Sequence, residues 1–207
     1  MKKLLLLLLV GISFQFTACK TEPKKEPQPQ QAKEISTAAF SLKTAKNSID
    51  WVGYKTTDKV AVKGRFKKVT ITKNGEGATA KEAINGAEFS IPVSSIFTGD
   101  SSRDYKLKKF FFGVMDQTKL LGGKLTLTDG SKGIASITMN GVTAELPFEY
   151  TIVEKEFKMN ATMYLDNWKA QDAVESLNVA CKELHKGSDG VSKTWNEVAI
   201  NITTTFN

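Results

Sequence analysis

The chain has 207 residues, 41% hydrophobic and 25% charged, which fits one globular domain and excludes two large ones. Its mean hydropathy of -0.24 excludes a protein that crosses a membrane many times with helices. Lys and Arg number 29 against 22 Asp and Glu, a formal charge of +7, while one His and two Cys exclude a His-rich metal cage and a framework of several disulfides.

The N-terminus reads as a targeting segment. Lys2 and Lys3 precede an apolar run over residues 4–10, extended by Ile12 and Phe14. Phe16-Thr17-Ala18 then stands directly before Cys19. Residues 1–18 thus have the three-part layout of a secretory signal. The run is shorter than the ~20 residues of a spanning helix. Small residues followed by cysteine resemble a bacterial lipobox, which implies cleavage before Cys19 and acylation of it. Several acyl chains anchor far more firmly than one. The alternative is a plain signal peptide with an incidental cysteine. The expected address is the cell envelope, as an outer-membrane lipoprotein facing the periplasm or the cell surface. Lys20 is compatible with outer-membrane sorting.

Residues 19–35 read as a tether. The stretch KTEPKKEPQPQQAKE contains Pro23, Pro27 and Pro29 and no large apolar side chain, so it cannot bury a core. Cleavage removes Lys2 and Lys3, and the formal charge falls from +7 to +5. The remaining lysines alternate with acids, and the densest group is Lys106, Lys108 and Lys109. That pattern reads as a solvated surface, with anionic lipid or a phosphorylated head group as the alternative. An exported location removes chromosomal DNA, so no nucleic-acid partner is expected.

Residues 36–207 form the domain, and their hydrophobic period is mostly two. Ile49, Trp51 and Gly53 share one parity, as do Val60, Val62, Gly64 and Phe66. The phase slips before Val69 and Ile71, which predicts a bulge or bend. Phe89, Ile91 and Val93 alternate with polar neighbours and Pro92. Leu146, Phe148, Tyr150 and Ile152 share a face, as do Phe157, Met159, Ala161, Met163 and Leu165. Val198, Ile200, Ile202, Thr204 and Phe206 make the last strand. Asn74-Gly75, Asp129-Gly130 and Asn140-Gly141 read as tight hairpin turns, and Asn85-Gly86 as a turn or the end of a short helix over residues 81–84. Residues 101–115 and 170–186 have helical spacing, the first capped by Ser101 or Ser102, the second stopped by Gly187. The expectation is an all-β fold: an antiparallel barrel with one or two short helices at its side or mouth. An open two-sheet sandwich is the alternative.

Several runs carry a family resemblance. They are Asp50-Trp51-Val52-Gly53-Tyr54-Lys55, Val62-Lys63-Gly64-Arg65-Phe66, Ile96-Phe97-Thr98 with Arg103-Asp104, and Leu107-Lys108-Lys109-Phe110-Phe111-Phe112. The later Leu125-Thr126-Leu127, Asn140-Gly141-Val142-Thr143 and Leu146-Pro147-Phe148 continue the pattern, with Gly123 and Gly130 in place. In order and spacing, over roughly residues 38–205, these resemble the YceI-like family. Ser192-Lys193-Thr194-Trp195, with Cys181 and His185, is similar to lipoprotein members from Bacteroidetes-type bacteria. Where many members carry a histidine before G-x-F, this chain has Val62, so no role for it transfers. The resemblance implies a lipocalin-like barrel, and some members hold a long isoprenoid chain inside it.

Candidate contacts for such a chain are the inward-parity Trp51, Phe66, Phe89, Ile91, Phe97 and Phe148, the run Phe110, Phe111 and Phe112, and Met139. For each the competing reading is filled core. Arg103-Asp104 reads as an ion pair pinning its loop, or as a contact to a polar ligand head. Cys181 and His185 share a helical face, but neither has visible partners for metal or nucleophilic chemistry. No phosphate-cradling or nucleophile-elbow motif is present. The expected function is non-catalytic binding of an isoprenoid or similar apolar chain, without cofactor, metal or catalytic residue. The rivals are a structural lipoprotein with a filled barrel and, less favoured, an enzyme using Cys181 and His185.

Overall fold

The computed structural model describes residues 38–207. The expected signal, tether and Cys19 lie outside the described residues. The strands are β1 (Phe40–Ser41), β2 (Lys46–Lys55), β3 (Val60–Phe66), β4 (Thr70–Lys73), β5 (Glu76–Gly77), β6 (Glu88–Pro92), β7 (Ile96–Phe97), β8 (Leu120–Leu127), β9 (Lys132–Met139), β10 (Val142–Val153), β11 (Glu156–Tyr164) and β12 (Glu197–Thr205). Three short α-helices join them: α1 (Ala80–Ile84), α2 (Ser101–Lys106) and α3 (Gln171–Ala180).

Ten strands make one antiparallel sheet in the order β4-β6-β8-β9-β10-β11-β12-β2-β3-β7. The phase slip after Phe66 explains how this sheet curls round on itself. Residues 67–69 bend the chain from β3 into β4, and Val93–Ser95 bend it from β6 into β7. The two bent ribbons pair with each other on both sides of the bend. Arg65 faces Phe97 and Phe66 faces Ile96, while Thr70 faces Ser90 and Ile71 faces Phe89. Between these pairs the Lys67 N–H donates to the Ser95 carbonyl at 2.9 Å. The β3–β4 ribbon therefore pairs with the β6–β7 ribbon at both ends of the sheet, a seam at which the curl closes as a barrel.

Turn chemistry sets much of the rest. Asn140 and Gly141 both take positive φ and join β9 to β10 in a two-residue hairpin. Asn74 and Gly75 also take positive φ, but they do not form the expected hairpin. The chain leaves β4 there for β5, which pairs with β1, Phe40 facing Gly77.

The two helical regions differ from their expected extents. The first is capped by Asp100, whose Oδ1 accepts from the Ser102 and Arg103 amides, and not by a serine. After α2 it widens into a π-helical turn over Leu107–Phe111 and ends in a 3₁₀ turn over Phe112–Val114. The second stops at Ala180 instead of running to residue 186. Cys181 leaves helical geometry at φ −114°, and a 3₁₀ turn follows over Lys182–Leu184. The barrel core is apolar, with Trp168, Phe157, Met159 and Ile84 its largest fully buried side chains.

Candidate functional site

Inside the barrel lies a cavity of about 370 Å³ with mostly apolar walls. Inward-parity side chains of the strands form it: Ile49 and Trp51 from β2, Leu125 from β8, Met159 from β11, Ile200 and Ile202 from β12. Val174, Leu177 and Cys181, on and just after α3, cover one side. One end is tied by side chains. Thr204 Oγ1 donates to Asn47 Oδ1 at 2.7 Å, and Asn47 Nδ2 donates to the Leu42 carbonyl at 2.9 Å.

The other end is polar. Lys55, at the end of β2, donates from Nζ to the Leu184 carbonyl at 2.9 Å. Arg103 and Lys106 of α2 reach the same rim, with Asp100 as the opposing charge. Arg103 pairs with Asp100 at 3.7 Å, and not with Asp104. Asp104 instead accepts from the Thr98 amide and hydroxyl, at 2.8 and 2.7 Å. The expected Arg103-Asp104 ion pair is thus replaced by two separate ties of the same loop. Three cations against one carboxylate make the rim net positive.

His185 and Cys181 belong to this rim. Thr194 Oγ1 donates to Asn178 Oδ1 at 3.1 Å, so it receives the His185 Nδ1–H at 2.7 Å. Burial, aided by Lys55, lowers the His185 pKa from 6.5 to about 4, so the ring is neutral near pH 7. Cys181 is buried, and burial pushes its thiol up against the opposing pull of Lys106 and Lys55. A raised thiol is a poor nucleophile, and the His185 Nδ1 is directed to Thr194 instead of the sulfur. Among the described residues no three His, Cys, Asp or Glu side chains cluster in a way that would hold a metal ion.

Of the ten apolar candidates, Trp51, Phe66, Phe89, Ile91, Phe111, Phe112 and Met139 line the cavity. Three do not. Phe97 is 37% exposed, because its neighbour Ile96 takes the inward position on β7, and Lys67 Nζ sits 3.4 Å above the Phe97 ring. Phe110 lies outside, beside Asp172, Ser176 and Val179 of α3. The π-helical turn is the reason: the Phe112 amide bonds back to the Leu107 carbonyl, and the extra residue brings Phe111 and Phe112 inward together. Phe148 is buried but packs over Gly133 and against Tyr150, as core and not cavity wall. Ile49, Ile200 and Ile202 also line the cavity, as their parity allows, although the sequence did not single them out, nor Lys55; of the rim cations it marked Arg103 and Lys106, as alternatives for a polar or phosphorylated head. Sequence spacing does not bring β2, α2 and the segment after α3 together.

The fold and its cavity define a closed antiparallel barrel with an apolar interior and a basic rim. The chain belongs to the YceI-like domain family, whose model matches residues 36–206. A polyisoprenoid-binding domain from Saccharophagus degradans, implicated in plant cell wall breakdown, is similar in fold. It is 14% identical, with a TM-score of 0.56 over 82% of this chain and 98% of that one. BcnA from Burkholderia cenocepacia is 16% identical, with a TM-score of 0.50 over 76% of this chain and 94% of that one. The Campylobacter jejuni YCEI protein is 18% identical, with a TM-score of 0.50 over 70% and 85%. No curated protein matches the chain.

Proposed function

We propose that this domain is a non-catalytic binding protein that holds an isoprenoid or similar long apolar chain in its barrel. In this reading it is tethered to the cell envelope through a lipid on Cys19, with the outer membrane as its site. The observation that carries the reading is the cavity of about 370 Å³ with mostly apolar walls. Each CH₂ moved from water into such a wall gains roughly 0.8 kcal/mol, so a chain is held without any reactive group. The polyisoprenoid-binding description of the Saccharophagus domain supports the same reading. A barrel serving only as an interaction surface has no need of an open apolar interior.

The test is organic extraction of the purified protein followed by mass spectrometry. The expected result is a co-purifying apolar chain in the native protein. Leu125 lines the cavity, so Leu125→Trp is expected to remove the chain while the unfolding midpoint holds or rises. An extract without lipid, together with no uptake of added isoprenoid, sinks the proposal. Metabolic labelling with a fatty acid, lost in Cys19→Ala, tests the anchor separately.

A further inference from the structure

The apolar wall of the cavity continues past the basic rim onto the outer surface. Leu184 lines the cavity and is also 57% exposed, beside Lys55, whose Nζ donates to the Leu184 carbonyl. On the other flank Lys106 lines the cavity, and its neighbour Tyr105 is 56% exposed. Tyr105 meets Phe110 edge to face, their ring centroids 6.4 Å apart, and Lys109 Nζ lies 5.4 and 5.1 Å from the two centroids. Phe110 shares an outer groove with Val179 of α3, which is 65% exposed. Lone exposed apolar side chains are ordinary, but a run of them rimmed by charge marks an interaction site.

The charge of this face has one sign. Its acids are already engaged: Asp100 by Arg103, Glu183 by Lys186, and Asp104 by Thr98. Lys55, Lys106, Lys108 and Lys109 stand in no ion pair among the described residues. Asp172 and Glu175, the acids in the groove with Phe110, precede Cys181 at the mouth by nine and six residues. Along a helix that sets them about 14 and 9 Å back. The opposite end of the barrel differs. Val153 is 66% exposed there, but Glu154 and Lys155 follow it, and Lys158 is paired with Glu156.

We propose that the mouth of the barrel is a docking surface for an anionic lipid bilayer. Tyr105, Val179 and Leu184 enter the head-group layer, and Lys55, Lys106, Lys108 and Lys109 meet lipid phosphates. The composition suits that layer: tyrosine sits at head-group depth, and lysine stems lie along apolar surface while their ammonium groups reach the phosphates. Each lysine adds attraction to an anionic surface that fades within a Debye length. Once docked, the cavity opens directly onto acyl chains, so a long apolar ligand passes between bilayer and barrel without crossing water. That consequence rests on the proposed apolar ligand, whereas the docking itself does not.

The test uses the full chain and phosphatidylcholine vesicles with brominated acyl chains, made with and without phosphatidylglycerol. Leu184→Trp reports the mouth and Val153→Trp the opposite end, with the wild-type chain as the fluorescence baseline. With phosphatidylglycerol present, bromine is expected to quench Leu184→Trp and to leave Val153→Trp at the baseline. Adding Lys108→Glu and Lys109→Glu to Leu184→Trp is expected to cut that quenching about tenfold, and raised salt to act in the same direction. Neither lysine lines the cavity, so uptake of phytanol from cyclodextrin in vesicle-free buffer is expected to persist and to show that the variant is folded. Equal quenching at the two ends overturns the inference. So does quenching at the mouth that is indifferent to phosphatidylglycerol and to the two lysines. A concentration-dependent dimer that shields Leu184→Trp from the vesicles overturns it too, and assigns the face to a second copy. Docking without phytanol uptake overturns the proposed function and leaves the docking surface standing.

Discussion

At the residue scale, His185 ties the rim to pH. Its ring is neutral in the folded protein because burial lowers its pKa to about 4, against 6.5 when free. Acid therefore protonates the unfolded chain first. This contribution to stability is complete above pH 6.5, falls as the pH drops towards about 4, and is constant below that. The exposed carboxylates of Asp100, Glu183 and Asp189 are held below their usual values, so their losses come at still lower pH. The urea midpoint is expected to fall between about pH 7 and about pH 5, and His185→Gln to flatten that fall. An equally steep fall in the variant would assign the effect elsewhere. The sequence placed His185 four residues from Cys181 on one helical face and left a reactive pair as the less favoured alternative. What it could not show was Thr194, which a separate segment delivers to the ring.

At the element scale, the β9–β10 hairpin does more than reverse the chain. Asn140 takes a φ of 53° in the turn, and its side chain reaches three other backbone groups. Its Oδ1 accepts from the Asp116 amide at 2.8 Å, and its Nδ2 donates to the Trp168 and Lys169 carbonyls at 3.0 and 2.9 Å. Asn140→Gly keeps the turn geometry and removes the three bonds. It is expected to cost about 2–3 kcal/mol in urea unfolding, and Asn140→Ala more, because a methyl side chain must also hold positive φ. Asn-Gly was legible as a turn because both residues tolerate left-handed backbone. Its bonds to residues 116, 168 and 169 were not legible, since they depend on where distant segments cross. The same limit applies to the three phenylalanines at 110–112. Helical spacing is counted at 3.6 residues per turn, and a π-helical turn changes which of them face inward.

At the scale of the whole molecule, period-two patterning identified most of the strands, and the slip after Phe66 marked the bend that closes the barrel. The cavity was less legible, because inward parity is the same for a side chain that fills the core and for one that lines a void. Phe148 and Phe89 share that parity, yet one packs over Gly133 and the other faces the cavity. The seam has a kinetic consequence. β11 and β12 are zipped over nine residue pairs, from Glu156 opposite Thr205 to Tyr164 opposite Glu197. At the seam, β3 and β7 share two pairs, and β4 and β6 share three with a register shift. Protection against solvent deuterium is expected to rank in the same order, with the Lys67 amide exchanging well before that of Ile202. The hoop would then have a built-in clasp, a place where its wall parts sideways while the rest of the ring stays shut.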